Sequence, residues 1–166
     1  MNTNQQHSDS EKKHALENYF ISLKKLEELG ICQNRRDFTS QLGEWLICEL
    51  YNGKLAQNGK NPDWDMTVGT QKIQVKAHSK AKTTKREDTD FLYDESSDID
   101  RFVIVVFNID YKIKNIYNLP MKIALDLKSR DTKTPVIRWS QIPKEYTVDF
   151  GKIIGDNELL SMFLNK

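Results

Sequence analysis

"PDWDMTVGTQKIQVKAH", residues 62–78, sets two aspartates ahead of one short apolar strand and then places a glutamine and a lysine inside the next. The segments "WDMTV" and "KIQVKAH" are separated by Gly69-Thr70, a turn pair, so they are predicted to form a β-hairpin. Side chains alternate across a strand. Trp64, Met66, Val68, Ile73 and Val75 therefore share one face, and Asp63, Asp65, Gln74, Lys76 and His78 share the other.

The scaffold around this hairpin is legible by periodicity. Residues 1–10 are polar and read as a disordered tail. Leu16, Tyr19, Phe20, Leu23 and Leu26 recur at helical spacing between Glu11 and Gly30. "DFTSQLGEWLICELYNG" reads as a second helix, capped by Thr39 or Ser40 and ending before Gly53; it is apolar nearly all round and should be buried. "RFVIVVFN", residues 101–108, is a continuous apolar run of the kind found in a central strand covered on both faces. "KIKNIYNL" should pair with it through a turn at Asp110-Tyr111. A short helix is expected around Phe91–Tyr93, another from Pro120 to about Leu127, a weak strand at "VIRW", and a terminal helix capped by Asp156. These elements predict an α/β fold, a mixed sheet flanked by helices, within a single domain over residues 11–166.

Composition narrows the classes of function. With 166 residues, 38% apolar and 30% charged, the chain can bury one sizeable core. No apolar run reaches the length of a membrane span, and the polar N-terminus does not resemble a signal peptide, so a cytoplasmic location without membrane contact is expected. Cys32 and Cys48 have no metal-type spacing and read as free thiols. The net charge of +1 means that a polyanionic partner must be held by a local patch. One exists: Lys72, Lys76, Lys80, Lys82, Lys85 and Arg86 come without an acid among them, and Glu87 to Asp100 then carries seven acids and no base. On charge alone, two solvated segments that neutralise each other explain the pattern.

The polar face of the hairpin has a chemical meaning. A carboxylate and an amide oxygen on adjacent strands can both ligate magnesium, a hard cation that prefers oxygen and keeps several waters. Lys76 shares the face two residues past Gln74, where its ammonium can contact a scissile phosphate or orient a metal-bound water. This arrangement suits phosphodiester hydrolysis. Each residue singly has a plainer explanation: Asp63 and Asp65 as turn and strand-entry residues, Gln74 and Lys76 as the wet face of a strand, His78 as an exposed strand-end histidine. Trp45, Trp64 and Trp139 read as packing residues.

Glu44 on the second helix, Asp65 at the opening of a strand and Gln74-Val75-Lys76 in the next together resemble the PD-(D/E)xK nuclease superfamily, the restriction-endonuclease-like fold. The likeness covers roughly residues 39–110, and "DWDMTVGTQKIQVKAH" is its specific part. It implies magnesium-dependent cleavage of DNA, with manganese as a substitute metal and a restriction or defence role. Asp65 and Gln74 become metal ligands, Lys76 the catalytic lysine, and Glu44 an auxiliary ligand. Lys80, Lys82, Lys85 and Arg86 become the loop that grips DNA phosphates, and a homodimer would present two sites to two strands. Gln74 departs from the acid commonest at its position and resembles a glutamine-bearing branch of the superfamily. Asp65 is preferred to Asp63 because it lies inside the strand, where a ligand is rigid. On the helix, the wheel places Glu49 amid Leu42, Trp45 and Leu46, whereas the family's "GE" pattern points to Glu44. The alternative is a nuclease-fold module that binds nucleic acid or assembles with partners but has lost efficient metal chemistry at Gln74.

Overall fold

The computed structural model describes residues 8–32, 37–56, 63–80 and 85–165. The chain divides into two compact units, Met1–Phe38 and Thr39–Lys166. In the first, α1 spans Asp9–Glu28. It begins two residues before the predicted Glu11, because Ser8 and Glu11 form a reciprocal capping box that satisfies the first free N–H groups. Gly30, at φ +72°, follows its end as expected.

The second unit is a mixed α/β domain, as the sequence predicts. Its order is α2 (Phe38–Leu50), β1 (Lys54–Leu55), β2 (Met66–Val68), β3 (Gln71–Ser79), β4 (Asp88–Asp90), β5 (Arg101–Phe107), β6 (Ile113–Pro120), α3 (Met121–Asp126), β7 (Val136–Arg138), α4 (Phe150–Ile154) and α5 (Glu158–Ser161). Five strands form one sheet in the order β1-β2-β3-β5-β6, and β4 pairs with β7 in a second, small sheet. β2 and β3 form the predicted hairpin, with Met66 opposite Ile73 and Gly69 at φ +58° in the turn. β5 is the central strand, parallel to β3 and antiparallel to β6, and is buried from Phe102 to Phe107. A parallel neighbour needs a crossover connection. Residues 80–100 supply it, and β4 lies within them.

The sheet has a core on each face. On one, Gly43 of α2 sits against β3 and β5 so closely that an added Cβ would fall 2.4 Å from Ala77 Cβ. Phe163 joins this side against Trp45 and Phe107. On the other, Phe102, Ile104 and Val106 pack with Phe91, Tyr117, Leu119, Ile137 and Trp139.

Several expectations are corrected. α2 starts at Phe38, ahead of both Thr39 and Ser40, and Thr39 Oγ1 instead meets the Tyr111 hydroxyl at 3.1 Å. The helix expected near Phe91–Tyr93 is absent: Asp88–Asp90 is strand, and Phe91 continues it by donating its N–H to Pro135 O. The expected terminal helix is the short α5, capped by Asn157 rather than Asp156, and a second short helix, α4, capped by Asp149, precedes it and ends at Gly155, φ +53°. Among the described residues no helix is long and apolar enough to cross a membrane. Cys32 and Cys48 are free thiols, as read.

Candidate functional site

Asp65 lies where β2 runs out against β3. Its backbone N–H still donates to Ile73 O at 2.9 Å, but its carboxylate takes over the ladder one step further along. Asp65 Oδ2 accepts the Val75 N–H at 2.8 Å and the Gln74 Nε2 amide at 2.5 Å. The side chain thus stands in for the strand carbonyl that β2 no longer supplies. Gln74 also donates to Val75 O at 3.2 Å and is only 4% exposed. Burial raises the Asp65 pKa above the ordinary carboxylate value; the Val75 N–H, the Lys76 charge and the Gln74 amide oppose it in that order and do not cancel it. An ion there is short of positive charge.

Lys76 projects from the same face of β3. Its ammonium lies 5.8 Å from the centre of the Tyr93 ring, and among the described residues no carboxylate pairs with it. Tyr93 arrives on the segment between β4 and β5. Burial raises its phenol pKa, the Lys76 charge and hydrogen bond lower it, and Asp65 and Asp63 raise it. The four side chains therefore share one electrostatic neighbourhood. Asp63 itself accepts the Asp98 N–H at 3.1 Å, which ties the loop before β5 to the strand entry.

His78, predicted as an exposed strand end, is instead half-buried and built into the wall beside the site. Its Nε2 lies 2.9 Å from Thr89 Oγ1, which accepts the Trp139 indole N–H at 2.8 Å. The indole can only donate, which leaves the buried threonine hydroxyl its own proton to give to His78 Nε2, a pairing that suits a neutral ring. Burial first, then the Arg86 charge, lowers the His78 pKa to about 4. The expectation of a wet strand face is overturned here, because β4 and Trp139 cover it. Trp45 and Trp139 are buried packing residues, as expected.

Among the predicted site residues, Asp65, Gln74 and Lys76 come together. Glu44 is half-buried on α2, the helix that packs by Gly43 against Ala77. Glu49 is exposed on α2, contrary to the helical-wheel alternative. Of the basic loop, Lys82 lies outside the described residues. Lys80 is paired with Glu87 at 3.3 Å and stacked 5.3 Å from the Trp139 ring, and Arg86 is held by Asp88 at 2.7 Å and Asp90 at 2.5 Å. Lys85 is exposed. Tyr93 was not among the predicted residues. Buried Phe91, exposed Leu92 and half-buried Tyr93 alternate as extended chain does, but in the sequence all three are apolar or aromatic and show no such alternation.

The donors suit a hard cation. Asp65 Oδ1 receives no hydrogen bond among the described residues, and the Gln74 amide can offer oxygen in place of nitrogen by a half-turn of its terminal torsion. No cluster of three or more histidine, cysteine, aspartate or glutamate side chains that could hold a metal ion occurs among the described residues. Fold and site together define a mixed α/β domain that carries an acid just ahead of β2 and an amide and a lysine on β3. A scan against protein-family models finds no match to the chain, and a search of curated proteins finds none either.

Proposed function

We propose that the chain is a metal-dependent endonuclease of the PD-(D/E)xK type, with glutamine in place of the second acid, that hydrolyses phosphodiester bonds in DNA. The observation that carries this is the Asp65–Gln74 contact with Lys76 two residues on, its ammonium free of any carboxylate partner among the described residues. Asp65 and Gln74 would hold magnesium, which supplies charge to the phosphate and acidifies a bound water. Lys76 donates to a non-bridging phosphate oxygen or orients the attacking water. The buried setting strengthens that contact relative to solvent. Lys85 grips the flanking backbone, and a homodimer serves both strands.

Lys76→Ala is the direct test: magnesium-dependent nicking of supercoiled plasmid should fall at least a hundredfold while the thermal midpoint stays within a few degrees. Nicking at the wild-type rate would remove the proposal.

One observation favours a second reading, a nuclease-fold binding module with weak chemistry. Gln74 points its amide nitrogen at Asp65, which makes the pair a structural clasp as it stands. Gln74→Glu discriminates. In a metal site the second anion tightens magnesium binding by an order of magnitude or more, seen by calorimetry. In a clasp it only sets two carboxylates against each other and lowers stability.

A further inference from the structure

We infer that α1 is a self-association surface: two copies of this chain pair antiparallel along the helix face that carries Lys13, Glu17, Phe20, Lys24 and Glu27. The inference rests on the nuclease reading only for the use of such a dimer, two sites for two strands. α1 is 20 residues long and covers little of its own surface. Leu23 is buried and Leu26 and Glu27 are half-buried, but its other described side chains are exposed, with Tyr19, Phe20 and Ile21 at 56%, 55% and 68%. A helix of this length is marginal in water on propensity alone and takes most of its stability from packing. The Tyr19 and Phe20 rings, 6.0 Å apart, form an aromatic patch at its middle that calls for a cover.

The charges around that patch specify what covers it. Lys13, Glu17, Phe20, Lys24 and Glu27 follow one another in alternating steps of four and three residues, the spacing that keeps side chains on one helix face. A second copy turned end for end about Phe20 sets its Glu27 against Lys13 and its Lys24 against Glu17, with phenyl ring on phenyl ring between them. The face is thus complementary to itself, as a two-fold interface requires. In a parallel pair each charge would meet its like, so the pattern selects the antiparallel order. Lys13 and Glu17 lie 3.8 Å apart within the helix, with side chains 77% and 55% exposed. A pair so open is worth little, and both groups can turn to a partner. At 1.5 Å per residue the seam is about 21 Å long, small beside a standard interface, so the association is weak and, being charged, sensitive to salt.

Sedimentation equilibrium of the full chain, without DNA or metal, should show the mass rise from monomer to dimer with concentration and fall back as salt is added. Two variants of opposite sign decide the pairing. Lys13→Glu with Lys24→Glu makes the seam wholly acidic, and Glu17→Lys with Glu27→Lys makes it wholly basic. Each alone should self-associate at least tenfold more weakly than the wild type, and the two mixed should form a one-to-one heterodimer. Phe20→Ala keeps the charges and alters an exposed side chain; it should also weaken association about tenfold, and it decides the matter if circular dichroism shows that a charge variant does not fold. A monomeric wild type, folded charge variants that self-associate as tightly as the wild type, a mixture of them that stays monomeric, or an unchanged Phe20→Ala dimer would each overturn the inference. A wild type that nicks plasmid but stays monomeric fails the pairing alone, whereas one that dimerises without nicking fails the nuclease reading alone.

Discussion

At the scale of single residues, the two aspartates of the hairpin have separate jobs. Asp65 is half-buried, ends the β2–β3 ladder and has a raised pKa; Asp63 fastens a loop through the Asp98 N–H. Because the fold penalises the charge on Asp65, removing that charge does not cost stability at neutral pH. Asp65→Asn is therefore expected to fold with an equal or higher thermal midpoint and to lose magnesium binding and nicking together. Asp63→Asn should keep the metal site, with activity reduced severalfold by a looser loop. Calorimetry and plasmid assays on both variants check this, and an inactive Asp63→Asn beside an active Asp65→Asn reverses the assignment. His78 has a pH signature. Its folded pKa of about 4 lies below the ordinary 6.5, so the unfolded chain takes up the proton first as pH falls. The stability that its neutral form supports is complete above pH 6.5 and is lost on the way down to about 4. The upper bound is about 3 kcal/mol, lessened by solvent at a ring that is only partly buried. Thermal midpoints across this window should fall more steeply for the wild type than for His78→Gln.

At the scale of elements, α2 comes very close to β3 at Gly43. Glycine inside a helix ordinarily weakens it by about 1 kcal/mol relative to alanine, so helix propensity favours Gly43→Ala. The packing says the opposite: the new methyl would lie 2.4 Å from Ala77 Cβ, and neither atom can rotate away. The helix must lift, and overpacking of this kind costs about 1–3 kcal/mol. Urea midpoints should show Gly43→Ala destabilised and the double variant with Ala77→Gly largely restored. A stable single variant would mean that α2 slides freely on the sheet. The sequence around "GEWL" reads as a helix that is apolar nearly all round. Helical periodicity reports which side is apolar, but not how near the neighbouring strand comes.

At the scale of the whole molecule, the basic and acidic blocks pair off. Lys80 with Glu87, Arg86 with Asp88 and Asp90, and Lys72 with Asp98 join the basic block to the acidic one, as the plainer account of the pattern expected. Exposed pairs of this kind contribute little to stability, but they occupy cations that a phosphate would need. Lys85→Gln should therefore weaken DNA binding and lower the slope of log affinity against log salt by about 0.9, one phosphate contact. Arg86→Gln should change that slope by much less. Fluorescence anisotropy with a labelled duplex over a salt series measures both; equal slopes for the two variants would place Arg86, too, on the backbone.

The sequence by itself determined the features that depend on near neighbours. Alternation put Asp65, Gln74 and Lys76 on one face, the Gly69 turn set their register, and the unbroken run from Phe102 to Phe107 made β5 central. These follow from backbone periodicity, which acts over a few residues. What covers that face was decided only by tertiary structure. Strand β4 is held by β7, with Thr89 opposite Ile137, and Trp139 reaches back to Thr89 to enclose His78. Nothing local to "EDTDFLYDE" favours a strand, since its acids are poor strand formers; its extended form exists because β7, far along the chain, offers it backbone partners. Tyr93 follows from the same pairing. Once Phe91 is anchored to Pro135, the next inward side chain along the extended segment is Tyr93, and it comes to rest on Lys76.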